Sequence, residues 1–410
     1  MKFKDYPIRE SIKKQLEEIG IKRPTDIQHR SIKHILNGED VMAVAPTGTG
    51  KTAAFVIPLL HYIIGKKRGK YKGVRVMVMV PTRELAKQIA GVFAEIGKLT
   101  DVTSLGLYGG IEQDKQIQTL KKGLDVLIAT PGRMFDLMAQ GHVDISGLEV
   151  LVLDEADLML DLGFNKDIKD VLKRIPSRRQ TLFFTATISK KIKSLAYDTV
   201  KNPIRIHVSP KNPVSKNVAH AVAFVDMDDK RFFLENVLKE FPENKFIVFA
   251  RTKVRVERIV AAMKRVDVIT EALHGGIEQN ERFAILERFR SGENKVLITT
   301  DVACRGIDIP NMDYVINYDL PDNPENYVHR CGRTGRGNQK GQALSFCSEQ
   351  EEELLDAIEA YTGEEIERYE LTPQEYKDIM SDSDEDLFKN GDYNWQKLIA
   401  QNENPNGWDE

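Results

Sequence analysis

Val41-Met42-Ala43-Val44-Ala45-Pro46-Thr47-Gly48-Thr49-Gly50-Lys51-Thr52 is an apolar run that breaks into a glycine-rich stretch and then into residues suited to a helix. That order of strand, loop and helix is what a phosphate-cradling loop requires, because the helix N-terminus and the loop amides point at an anion together. The amides of Thr47, Gly48, Thr49 and Gly50 can cradle the phosphates and Lys51 can reach their outer oxygens. The Thr52 hydroxyl can ligate Mg2+. Ala45 opens the loop where the strictest pattern has glycine. A plain glycine-rich turn would not call for Gly-Lys-Thr at this junction, so the chain reads as an enzyme of nucleoside triphosphates.

Outward from the loop, a second apolar run, Val150 to Leu153, ends in Asp154-Glu155-Ala156-Asp157. Acidic strings are common on surfaces, but this one follows a buried-type strand, where a solvated charge run is not the natural outcome. Asp154 is then the expected Mg2+ partner and Glu155 the base that orients or deprotonates a water. Upstream, Gly20 to Gln28 offers a side-chain amide that donates and accepts at once, as the edge of adenine demands. Downstream, His329-Arg330-Cys331-Gly332-Arg333-Thr334-Gly335-Arg336 brings cations to a glycine-rich turn. Arginine suits a transferring phosphoryl group because its planar fork stays charged.

The chain has 410 residues, 41% hydrophobic and 30% charged, which suits a water-soluble protein of two domains plus a tail. No apolar run approaches the ~18 residues of a membrane span, and Met1 to Glu10 lacks a signal-peptide core, so a cytoplasmic location is expected. Cys304, Cys331 and Cys347 show neither zinc-ligand spacing nor a disulfide framework, and are expected to be reduced and buried. From Pro373 onward ten acids face three lysines; removing that excess of seven from the formal −3 leaves +4 on residues 1–372. Local charge, not global charge, must therefore hold any phosphate backbone.

Short β-branched runs alternate with helix-like segments, the pattern of an α/β protein with mostly parallel sheets covered by helices. Strands are expected over 41–45, 75–80, 125–129, 150–154 and 180–184, and again over 219–225, 246–250, 296–300 and 314–317. Pro210 and Pro213 mark a linker at 208–216 between domains 1–207 and 217–372. The acidic tail 373–410 is expected to be disordered. Gly109-Gly110-Ile111-Glu112-Gln113 recurs as Gly275-Gly276-Ile277-Glu278-Gln279, which favours two related halves.

With Gln28, Lys51, Asp154 to Asp157, Arg333 and Arg336 in this order, the chain resembles the DEAD-box ATP-dependent RNA helicases of superfamily 2, in a compact bacterial form. The likeness runs from Phe3 to about residue 350. The resemblance implies two tandem RecA-like domains that close on ATP and RNA. It implies nucleotide binding by Phe3, Thr25, Gln28, Ala45, Thr47 to Thr52, Gly306 and Asp308, with Arg333 and Arg336 reaching the γ-phosphate from the second domain. Asp157, Thr185, Thr187 and His329 would couple hydrolysis to RNA. Contacts to RNA would come from Pro81, Thr82, Arg83, Gly109, Gly110, Thr130, Pro131 and Arg133 in domain one. In domain two they would come from Arg251, Thr252, His274, Gly275, Thr300 and Asp301.

Ile21, Thr185, Cys304 and Cys331 depart from the family's usual residues. Ile21 replaces an aromatic and should weaken the hold on adenine; the other three are tolerable. These groups suit phosphates and 2′-hydroxyls more than bases, so little sequence specificity is expected. The basic run Lys66 to Lys72 reads as a solvated loop. Opening five base pairs costs about 7 kcal/mol, while a ligand that throws a two-state switch supplies roughly 5.5, so unwinding should be local and non-processive. The rival readings are an ATP-gated RNA clamp with little unwinding and a DNA helicase. Stimulation of ATP hydrolysis by RNA over DNA separates the RNA-helicase reading from the DNA helicase, and RNA trapping by Glu155→Gln separates turnover from clamping.

Overall fold

The structure is a computed structural model, and it describes residues 2–46, 48–65, 73–208, 214, 217–304, 307, 309, 312–335, 340–369 and 371–381. Four expected nucleotide-site residues, Thr47, Gly306, Asp308 and Arg336, lie outside that set, as do the basic run 66–72, most of the linker and the chain from 382. Two compact units divide at Ser209 and Pro210.

In the first unit seven strands form one sheet: β1 (Val41–Val44), β2 (Val76–Met79), β3 (Ser104–Leu107), β4 (Val126–Ala129), β5 (Val150–Leu153), β6 (Gln180–Thr185) and β7 (Ile204–His207). Their order is β3-β4-β2-β5-β6-β1-β7, and every pairing is parallel. Parallel neighbours need helical crossovers, which cover both faces and leave the central strands apolar at every position. So β1, β2, β4 and β5 are buried throughout.

The second unit repeats this plan with β8 (Val218–Phe224), β9 (Phe246–Phe249), β10 (Glu271–Leu273), β11 (Val296–Thr299), β12 (Tyr314–Asn317), β13 (Gly341–Cys347) and β14 (Glu367–Tyr369). Its order is β10-β11-β9-β12-β13-β8-β14, so each sheet, counted from its own first strand, has the same topology. The repeated Gly-Gly-Ile-Glu-Gln follows the third strand in both, after β3 and after β10. An accidental five-residue match would have no reason to fall at equivalent junctions.

Five strands escape the sequence reading. β3, β7, β10 and β14 are short and half-exposed edge or near-edge strands, and β13 is broken by Gly341, Gln342 and Ser345, so none carries an uninterrupted apolar run. The expectation of a disordered tail from 373 needs correction at its start. Pro373–Ser381 is a helix, capped by reciprocal hydrogen bonds between Thr372 and Glu375. Ile379 joins the second core and the Tyr376 hydroxyl donates to Asp229 at 2.8 Å. All three cysteines are buried and none forms a disulfide. Among the described residues no helix is long and apolar enough to cross a membrane.

Candidate active site

The helix Lys51–Ile64 starts where β1 ends, and Gly50 caps it in the left-handed region at φ 89°. A Cβ there would sit 2.5 Å from Gln28 Nε2, so glycine is required both by conformation and by space. Gln28 reaches this point from the helix Asp26–Leu36, in whose capping box Gln28 Oε1 accepts the Thr25 amide at 3.0 Å. Its Nε2 donates to the Gly50 carbonyl at 3.0 Å. One N–H and one acceptor lone pair of the amide remain, the complement of an adenine edge. Thr49 Oγ1 donates to the Pro46 carbonyl at 2.8 Å, and the Ala45 amide to Thr185 at 3.0 Å, which ties the loop to the end of β6. Phe3 is buried, stacked obliquely on Tyr6, and its amide donates to Lys22 beside half-buried Ile21.

Lys51 is only 6% exposed and its Nζ is buried with no hydrogen-bond partner among the described residues. A desolvated ammonium in that state is costly, and an anion arriving at the helix N-terminus would relieve the cost. Asp154 follows β5, on the other side of β6 from β1, and is also buried. Burial pushes its carboxyl pKa up; the Lys51 charge and the Glu155 amide, which donates to Asp154 Oδ1 at 3.0 Å, oppose that, and Asp157 adds to it. Glu155 stands in the left-handed region at φ 50°, a strained setting for a side chain with a Cβ. Thr52 is half-buried in the same first turn as Lys51. A carboxylate and a hydroxyl are hard oxygen donors, the set that suits Mg2+.

Asp157 binds the other loop at this edge. Its Oδ2 accepts the amides of Ala186 at 3.1 Å and Thr187 at 3.0 Å and the Thr187 hydroxyl at 3.3 Å, while Thr185 Oγ1 donates to the Thr187 carbonyl at 3.0 Å. Asp157, Thr185 and Thr187, three of the residues expected to couple hydrolysis to RNA, thus meet; the fourth, His329, belongs to the second unit.

The expected RNA residues of the first unit follow β2, β3 and β4, three neighbours in the sheet. Thr82 caps the helix Arg83–Ile96, accepting the Leu85 amide at 3.3 Å, and Arg83 is exposed. Gly110 is left-handed at φ 81°. Pro131 opens the helix Pro131–Ala139 behind buried Thr130. Arg133 donates to Gln116 Oε1 at 2.8 Å and to the Ile111 carbonyl at 3.3 Å, and Gln116 holds the Tyr108 carbonyl, so the loops after β3 and β4 are one assembly.

The second unit echoes this. Thr252 caps the helix Lys253–Arg265 as Thr82 does its own, accepting the Arg255 amide at 3.2 Å. His274 is buried; its Nδ1 accepts the Gly276 amide at 3.2 Å, which assigns the ring proton to Nε2, 3.4 Å from Glu257. Arg282 donates to the His274 and Ala303 carbonyls. Gly275 has open space where a Cβ would stand. Asp301, beside half-buried Thr300, takes both arms of Arg330, at 2.6 and 2.7 Å. Arg330 also holds Asn317 and the Asp319 carbonyl. So within the cationic turn Arg330 is a core residue, whereas Arg333 is buried two residues past the helix Pro324–Cys331 that carries half-buried His329. Tyr327, Arg330 and Cys331 share the buried face of that helix, and helical spacing was the available signal.

Sequence reading also missed Lys230. Fully buried, its ammonium donates to the Tyr318 and Phe346 carbonyls, both at 2.9 Å, and to Glu351.

Family models for "DEAD/DEAH box helicase" and "Helicase conserved C-terminal domain" match residues 25–195 and 229–338. The chain is similar to the ATP-dependent RNA helicase RhlB of Shewanella piezotolerans, 39% identical over 370 residues, covering 89% of this chain and 85% of that protein. Among solved structures it resembles S. cerevisiae Dbp5 bound to RNA and ADP BeF3, with a TM-score of 0.81 at 30% identity over 92% of this chain and 98% of that one. The DEAD-box helicase Mss116 bound to ssRNA and UDP-BeF gives a TM-score of 0.82 at 27% identity, covering 92% of this chain and 81% of that one.

Proposed function

The chain belongs to the DEAD/DEAH box helicases, and from that premise we infer that it is an ATP-dependent RNA helicase in which the loop Ala45–Thr52 holds the triphosphate. Its two units are tandem RecA-like domains. The observation that carries the assignment of the site is the buried Lys51 ammonium at a helix N-terminus, without a hydrogen-bond partner among the described residues, with buried Asp154 following the strand on the far side of β6. Gln28 and Thr25 read adenine, with Phe3 contributing to the same site, and the amides of Gly48 to Gly50, with Thr47, bind phosphate. Thr52 and Asp154 would hold Mg2+, which would supply Lewis-acid neutralisation of the outer phosphate oxygens. Glu155 orients the attacking water and accepts its proton. Arg333 and Arg336 stabilise the charge that develops on the transferring γ-phosphoryl group, with Gly306 and Asp308 toward the ribose.

RNA binds along the loops after β2, β3 and β4 through Pro81, Thr82, Arg83, Gly109, Gly110, Thr130, Pro131 and Arg133. In the second domain Arg251, Thr252, His274, Gly275, Thr300 and Asp301 serve it, Asp301 by fixing Arg330. Helix N-termini and threonine hydroxyls suit phosphate and 2′-hydroxyl, so recognition is by backbone and shape. Asp157, Thr185, Thr187 and His329 transmit nucleotide state to RNA. The work done is local opening of short duplexes by a monomer in the cytoplasm, with the acidic tail open to a protein partner.

The test is ATP hydrolysis and strand separation with matched RNA and DNA oligonucleotides. RNA should stimulate hydrolysis and short RNA duplexes should open, with yield collapsing as length grows. Equal stimulation by DNA overturns the reading. Lys51→Ala should abolish both activities, since it removes the phosphate partner.

A further inference from the structure

Arg251 has a divided set of partners. Its Nη2 donates to the Leu320 carbonyl at 3.1 Å and to Glu351 Oε1 at 3.0 Å, and its Nε stands 3.2 Å from Asp322 Oδ1. The two carboxylates differ in kind. Glu351 is 2% exposed and is itself fixed by Lys230, by the Ser348 amide and hydroxyl and by the Leu320 amide. Asp322 is 73% exposed on the loop after β12, while the Arg251 side chain is 38% exposed. The backbone beneath is fixed too, since the Arg251 amide donates to Asp319 at 2.9 Å and Thr252 caps the next helix. One side of the guanidinium is therefore anchored and the other meets an anion that water can replace.

We propose that Asp322 is an exchangeable counter-ion of Arg251 that an RNA phosphate must displace, and that it thereby sets an upper limit on RNA affinity. The proposal rests on the reading that Arg251 meets the RNA backbone. Glu351 keeps the fork aimed, because its charge is already balanced by Lys230. Asp322 mimics the phosphate on the Nε side and opposes its approach. An exposed ion pair is weak, so displacement is possible, and the same weakness bounds the effect of removing it.

The experiment uses the full chain and a single-stranded oligouridylate of fixed length, comparing Asp322→Asn, Arg251→Ala and the double variant. Asp322→Asn should lower the RNA concentration for half-maximal stimulation of ATP hydrolysis by about two- to fivefold, with hydrolysis in the absence of RNA unchanged. The gain should fade toward about 1 M salt, where the screening length falls to ~3 Å. In the Arg251→Ala background Asp322→Asn should change nothing. Unchanged or weaker RNA binding by Asp322→Asn overturns the counter-ion role while leaving Arg251 as an RNA contact. An equal gain in both backgrounds also overturns it, because bulk charge would then suffice. If Arg251→Ala alone leaves RNA affinity intact, the reading of Arg251 fails and the proposal falls with it.

Discussion

Gln28 donates from Nε2 to the carbonyl of Gly50 at 3.0 Å, so the segment expected to read the base is bonded to the loop expected to hold the phosphates. The same amide accepts from Thr25, which leaves one donor and one acceptor for a ligand. Gln28→Glu keeps the acceptor, removes the donor and sets a negative charge against the Gly50 carbonyl. A buried polar group left unpaired costs ~1–3 kcal/mol, so the Kd for ATP should rise about ten- to a hundredfold. Titration calorimetry with ATP checks this; unaltered affinity would show that the amide serves only the fold.

Asp154 combines a functional role with a cost to stability. Burial raises its pKa above the ordinary 3.8, so the folded chain binds that proton more tightly than the unfolded chain does. Stability from this group is greatest at low pH and is lost as pH rises through the raised pKa, which leaves a buried charge at neutral pH. Asp154→Asn should therefore melt a few degrees higher, at ~2–4 °C per kcal/mol for a unit of this size, while ATP hydrolysis falls by about a hundredfold or more. A thermal shift downward would contradict the assignment of the carboxylate as desolvated. In the native chain, affinity for Mg2+-loaded ATP should weaken as pH falls toward that raised pKa.

How much of this was legible depends on how local each signal is. The loop Ala45–Thr52 and the turn Asp154–Asp157 could be read because each follows a four-residue strand buried on both faces, and the continuous apolar run points to its own end. β3 and β14 could not, since edge strands of mixed polarity resemble loops. The partner of Asp301 is a second kind of signal that sequence does not carry. The neighbours of Asp301 in sequence suggest a nucleic-acid contact, but its two oxygens are committed to Arg330, 29 residues away. The Lys230–Glu351 pair, 121 residues apart, is likewise invisible to any pattern of short range. The helix at 373 was lost to its charge, although Tyr376 and Ile379 carry the helical spacing of a buried face.

Asp157 holds the Thr185-Ala186-Thr187 loop by three accepted hydrogen bonds from one oxygen. Asp157→Ala should release that loop and cost ~1–3 kcal/mol of coupling, a factor of about ten to a hundred in RNA unwinding. ATP affinity should change far less, because Asp157 has no hydrogen bond to the loop Ala45–Thr52 among the described residues. Parallel measurement of hydrolysis and strand separation decides it. Equal loss of both would place Asp157 in the chemistry itself.

Lys230 and Glu351 form a fully buried pair whose partners include the carbonyls of Tyr318 and Phe346, so it clamps β13 to the chain just past β12. Burial alone would raise the Glu351 carboxyl, but the Lys230 charge and the Ser348 donors overcome it and hold the pKa below the ordinary 4.5. A depressed carboxyl contributes stability above its unfolded pKa and loses it as pH falls through the folded value, so the clamp should begin to weaken below the ordinary 4.5 and fail only past the lowered pKa. Glu351→Ala leaves an unpaired ammonium inside and should cost ~3–5 kcal/mol in urea titration of the full chain. Replacing both partners, as Lys230→Met with Glu351→Leu, removes both charges from the interior and should recover most of that loss. If the double variant is as unstable as Glu351→Ala, the Lys230 hydrogen bonds to Tyr318 and Phe346 that it also removes hold the strands as strongly as the charge pair does.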